Sequence, residues 1–147
     1  MILDILKNIA EQTLKMDWQY GTKSSHNLCA PSADKYTMLV LPLVNKPQLN
    51  SFNKVTENNW EIALFMCITA DMDGGTPGQN GSDYYAEKCD KSIKPLYDDN
   101  AVGKLTAAFT CKEELTLSGL NVTEVINLFD ENVDGLYITF NIREDLI

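Results

Sequence analysis

Apolar residues recur at Ile2, Ile5, Leu6, Ile9 and Met16, with Thr13 in the same stripe, while Asp4, Lys7, Asn8, Glu11 and Lys15 take the opposite side. That spacing predicts an amphipathic helix over about 2–18, with one face made for packing. Residues 21–34 (GTKSSHNLCAPSAD) follow neither the helical nor the strand period and read as a long connecting loop. Residues 35–44 (KYTMLVLPLV) are β-prone and predict a strand that ends or bulges at Pro42, because proline cannot donate to a ladder. Polar residues 45–58 read as a second loop. In residues 59–70 the alternation is strongest, with Trp60, Ile62, Leu64, Met66 and Ile68 on one face and Glu61, Ala63, Phe65, Cys67 and Thr69 on the other. The second face is itself apolar in the middle, which predicts a central strand covered on both sides.

Four glycines and a proline within residues 71–82 predict an exposed loop. A helix is expected over about 83–97, capped by Ser82 or Asp83, with Tyr85, Ala86, Cys89, Ile93 and Leu96 inward and Pro95 kinking or ending it. Residues 104–118 and 122–129 read as two strands, residues 130–135 as a turn, and residues 136–142 as a last strand, so the C-terminal strands are placed at about 104–142. Together these elements predict one α+β domain over residues 1–147, two helices packed on one mainly antiparallel β-sheet.

Charge changes the picture by exclusion. Twelve Lys and Arg stand against 21 Asp and Glu, a formal net charge of −9, and Arg143 is the single arginine. Gripping a phosphate backbone takes clustered cations, so sequence-specific nucleic-acid binding is not expected. No stretch approaches the roughly 20 apolar residues of a membrane span, and Asp4 and Lys7 interrupt the N-terminal run, so neither a membrane nor an export signal is expected. The four cysteines, at 29, 67, 89 and 111, form no C-x-x-C pair, and reduced thiols are expected.

Candidate chemistry is sparse. Asp130-Glu131-Asn132-Val133-Asp134-Gly135 matches the first half of a calcium loop, D-x-N-x-D-G, which makes Asp130, Asn132 and Asp134 candidate metal ligands. The twelfth position, where a bidentate glutamate should close the site, is Asn141, and a strand pattern follows where a helix is needed. Asp, Asn and Gly are also the ordinary residues of a tight hairpin turn, and the segment reads as one. The acidic loop carrying Asp71 and Asp73 offers a second, weaker cation candidate. His26 and Cys29 are close in sequence, but a nucleophilic pair also needs contact and an orienting group. Glu113-Glu114 and Asp98-Asp99 read as solubilising charge. No cofactor and no catalytic residue is assigned, and the chain is not expected to be an enzyme. Trp18, Tyr20, Tyr84 and Tyr85, together with Asp71 and Asp73, are the interface candidates, aromatic rings with polar tips being suited to subunit contacts.

The order of a short N-terminal amphipathic helix, a Trp-led strand, an acidic glycine-rich loop, a second helix and the C-terminal FDENVDGLYITFNI of residues 129–142 resembles small structural proteins of tailed bacteriophages and prophages, the tail-terminator and tail-completion proteins. The resemblance implies a one-domain α+β subunit that assembles as a homo-oligomeric ring, a hexamer or dodecamer, at the head-proximal end of the tail or at the neck. It further implies other neck and tail proteins as partners and the virion as location, after synthesis in the bacterial host cytoplasm. An alternative from a different class is a soluble module binding a small ligand or divalent cation at its acidic loops.

Overall fold

The computed structural model describes residues 2–21, 35–69, 86–128 and 133–146. Among them the chain folds as expected into an α+β arrangement, two helical regions on one face of an open, mainly antiparallel sheet.

Helix α1 (Ile2–Asn8) runs into a π-helical turn (Ile9–Thr13), in which the Leu14 amide donates to the Ile9 carbonyl at 2.9 Å. The helix stops there, short of residue 18. Lys15 takes a left-handed φ of 56° and turns the chain, after which β1 (Asp17–Tyr20) pairs in parallel with β2 (Thr37–Val40). The alternation Asp17-Trp18-Gln19-Tyr20 is a strand pattern hidden by the helical stripe that runs up to Met16. As anticipated, the next strand breaks around Pro42: β2 ends at Val40 and a two-residue β3 (Val44–Asn45) begins beyond it.

Residues 45–58 are not a loop. They contain β4 (Gln48–Leu49) and the first part of β5 (Val55–Thr69), so the central strand starts four residues earlier than its apolar alternation indicates. The sheet order is β1-β2-β5-β7-β6, with β3 and β4 also pairing to β5.

The second helical region is longer than expected. Residues 83–85 lie outside the described residues; a π-helical stretch (Ala86–Ile93) leads into α2 (Lys94–Asp98), with Pro95 in its first turn where a missing amide proton costs nothing. Helix α3 (Ala101–Thr110) then occupies part of the region read as a strand from residue 104. Ala101, Leu105 and Phe109, spaced by four, are all buried, which is helical periodicity. Thr106 and Thr110 gave the segment a β appearance, but their hydroxyls donate back to the carbonyls of Gly103 and Ala107, at 3.1 and 3.5 Å, which accommodates them in a helix.

The remaining strands are β6 (Leu115–Leu128) and β7 (Val133–Asp145). The two strands read over 104–118 and 122–129 are thus one strand after a helix. The sequence pattern breaks because of a bulge: Ser118 pairs with Asn141 and Asn121 with Thr139, so two residues oppose one, and Gly119 sits at φ 66°. The extra residue moves the helix-facing set from Leu117 to Val122. Val133, Asp134 and Gly135 belong to β7 and not to the turn. A Cβ on Gly135 would run into the Met66 carbonyl oxygen and lie 2.8 Å from Cys67 Cα, so glycine is there for the close approach of β5 and β7.

The core lies between the helical layer and one sheet face, where Leu6, Leu105 and Phe109 meet Met38, Leu64, Met66, Leu136, Ile138 and Ile142. The Phe109 and Phe140 rings pack 5.6 Å apart at 59°. On the opposite face a smaller buried cluster joins Leu39, Phe65, Cys67 and Val133, with Phe65 and Tyr137 rings 4.7 Å apart. The central strand is therefore buried on both faces over its second half, as its alternation implied.

Candidate functional site

The two helical regions and the apolar half of β5 form a scaffold; the features accessible to a partner lie on the sheet edges, at one end of the sheet and on its helix-free face. That end is an arm made of β3, β4, the first half of β5 and the last residues of β7. Backbone ladders to β5 join its strands, and side-chain amides reinforce them. Asn45 Nδ2 donates to Asn58 Oδ1 at 2.9 Å, the Asn59 amide donates to Asn45 Oδ1 at 3.1 Å, and Asn59 Nδ2 reaches Glu57 Oε2 at 2.9 Å. Glu144, buried on β7, accepts from Asn58 Nδ2 at 2.9 Å and from the Trp60 indole at 3.3 Å. A buried carboxylate is expensive unless hydrogen-bonded, and these two donors supply that requirement.

At the tip, residues 50–54 close the β4–β5 hairpin. Asn50 organises the turn: its Oδ1 accepts from the Phe52 and Lys54 amides at 2.9 and 3.1 Å, while its own amide donates to the Lys54 carbonyl at 2.9 Å. Asn53 takes a left-handed φ of 60°, a conformation asparagine tolerates better than most residues. The product is a fixed turn that holds the Phe52 side chain in solvent at 88% exposure.

On the sheet face away from the helices lies a groove of about 370 Å³, floored by Ala63 and Thr139 and flanked by Leu41, Pro42, Gly119 and Glu61. Gly119, at the β6 bulge, keeps one wall low. Glu61 pairs with Lys46 Nζ at 2.8 Å, an exposed ion pair of small energetic weight.

Of the interface candidates named from sequence, Trp18 and Tyr20 lie on the edge strand β1; Trp18 packs against the core and Tyr20 is exposed. Asp71, Asp73, Tyr84 and Tyr85 lie outside the described residues, as do the candidate metal ligands Asp130 and Asn132. The third ligand candidate, Asp134, is a fully buried residue of β7. The segment after it is a strand, so the helix that would complete a calcium-binding helix–loop–helix unit is replaced by β7. Among the described residues no group of three or more His, Cys, Asp and Glu side chains is placed to hold a metal ion. Asp98-Asp99 and Glu113-Glu114 are solvent-exposed, as a solubilising role requires.

Two thiols of the described residues, Cys67 and Cys89, are poorly suited to nucleophilic work. Burial pushes Cys67 up to about 12, and Cys89 is raised by burial first and then by the carboxylates of Glu124, Asp90 and Asp134. Tyr36, whose hydroxyl donates to the Ser92 carbonyl at 2.6 Å, is raised to about 12 by burial and by Asp99. Near the second helical region, the Tyr97 hydroxyl donates to Glu124 Oε2 at 3.1 Å. These contacts tie helix to sheet.

The Phe52 turn and the groove were missed in the sequence because each lacks a pattern. A single phenylalanine among Asn, Ser and Lys is the only trace of the first, and the groove assembles from residues on four strands. Among the described residues no helix is long and apolar enough to cross a membrane. No protein-family model matches the chain, and no curated protein matches it.

Proposed function

We propose that the protein is a structural subunit of a bacteriophage neck or tail, a terminator- or completion-like component that assembles with copies of itself into a closed ring. The single observation carrying this reading is a sheet left open at two dissimilar edges. On one side β6 offers 14 residues whose outer backbone has no strand beside it among the described residues, with Leu120 and Ile126 exposed at 41% and 42%. On the other side lie β1, with Tyr20 exposed, and the short β3 and β4. Long open edges invite pairing, and proteins that keep them use them or blunt them. Contacts between two different edges run head to tail and close into rings when the rotation per subunit allows. The net charge of −9 suits a ring lining a passage for DNA, where like charge discourages adhesion. Class averages from negative-stain electron microscopy test the reading directly. Closed particles with rotational symmetry are expected; featureless single-subunit particles at every concentration would refute it.

A further inference from the structure

We infer that the Phe52 turn of one copy seats in the open-face groove of a neighbouring copy; this rests on the self-assembly reading above and names the contact that would carry it. Phe52 is 88% exposed, yet its backbone is fixed by the hydrogen bonds to Asn50. A large apolar ring on a rigid turn has its ordering cost already met, which is the property of a binding anchor. The groove can take it. It is open to solvent and measures about 370 Å³, ample for one phenyl ring, with Leu41, Pro42 and Ala63 as its apolar surface.

Geometry selects the occupant. From Val55 to Ile62 along β5 is roughly 23 Å at 3.3 Å per residue, so the turn of one molecule cannot fold back into its own groove, which lies beside Ile62 and Ala63. Charge agrees with a second copy. Lys54, exposed beside Phe52, makes no ion pair among the described residues, and Glu61, held by Lys46 in an exposed pair of small weight, stands at the groove wall where a second cation can share its carboxylate. In a chain of net charge −9, an apolar ring with a lysine two residues on meets a groove whose apolar floor and wall are bordered by Asn121, Asn141 and the Glu61 carboxylate. Knob and hole are different surfaces, so the contact is head to tail and propagates around a ring.

Variants with one introduced cysteine test this in a background where Cys29, Cys89 and Cys111 are serine and the buried Cys67 is kept. Phe52→Cys and Thr139→Cys proteins are oxidised separately and mixed. Disulfide-linked dimers are expected chiefly in the mixture, because the contact joins turn to groove; dimers at equal yield from Phe52→Cys alone would overturn the assignment. In parallel, Phe52→Ser should weaken self-association at least tenfold without moving the thermal melt of the dilute, dissociated protein, since the residue is exposed in the monomer, and Ala63→Phe should weaken it likewise by filling the groove. Wild-type oligomers untouched by both substitutions overturn this contact and leave the ring reading standing. A wild type that is monomeric at every concentration contradicts both.

Discussion

Strand β5 is held in the sheet by two different forces along its length. From Ile62 to Cys67 it is an apolar strand with buried residues on both faces, packed against α1 and α3 on one side and against Leu39 and Val133 on the other. From Val55 to Glu61 its residues are half-buried or exposed, and pairing is reinforced by Asn45, Asn58, Asn59 and Glu144 through side-chain hydrogen bonds. The first half of the strand therefore extends the sheet past the helical layer as a polar arm and carries Phe52 at its end. Burial stabilises the fold, and the arm turns part of that sheet outward with Val44, Leu49 and Phe52 exposed among its polar residues.

The sharpest break of the comparison is Gly135→Ala, in the buried half. Its Cβ would overlap the Met66 carbonyl, and neither backbone can move without opening the core. We expect a loss of more than about 4 kcal/mol, seen as insoluble expression or a collapsed urea midpoint. Glu144→Ala, in the arm, should cost less, about 1–3 kcal/mol, because it orphans the Asn58 and Trp60 donors at the edge of the core. Urea titration followed by tryptophan fluorescence measures it; a loss as large as that of Gly135→Ala would mean the two halves are not distinct in kind. Thr37→Val goes the other way. The Thr37 hydroxyl is buried opposite Cys67 with no hydrogen-bond partner among the described residues, so the valine should be neutral or stabilising by about 1 kcal/mol.

The smallest effect at neutral pH is that of Tyr36. Its folded pKa of about 12 exceeds the ordinary value of 10.0, so the folded state retains the proton longer than the unfolded chain does. The stability this contributes is complete below pH 10 and is lost as pH rises from 10 through 12. Urea midpoints measured between pH 8 and 11.5 should fall more steeply for the wild type than for Tyr36→Phe. Cys67, also raised to about 12, adds a decline that begins at its ordinary 9.0 and is common to both proteins.

What the sequence disclosed follows the same division. The two-faced burial of Ile62 to Cys67 and the packing face of α1 were legible because burial leaves a period. The arm was illegible: its strands are reinforced by side-chain amides, and a hydropathy pattern does not distinguish an asparagine in a ladder from one in a loop. Helix α3 was misread because Thr106 and Thr110 look like strand residues until their hydroxyls are seen bonding back along the helix. In sequence Gly119 and Gly135 read as punctuation between strands, whereas one makes a bulge within β6 and the other lets β7 approach β5. Of the candidate interface, Trp18 and Tyr20 lie on the edge strand β1 and not at the end of a helix, while Phe52 carried no periodic signal at all.

Self-assembly is the claim on which the functional account turns, and sedimentation velocity over a hundredfold range of concentration tests it most directly. The account predicts one discrete species whose mass is an integer multiple of the 16.5 kDa chain and whose population grows with concentration. A single 16.5 kDa boundary across the whole range would contradict it.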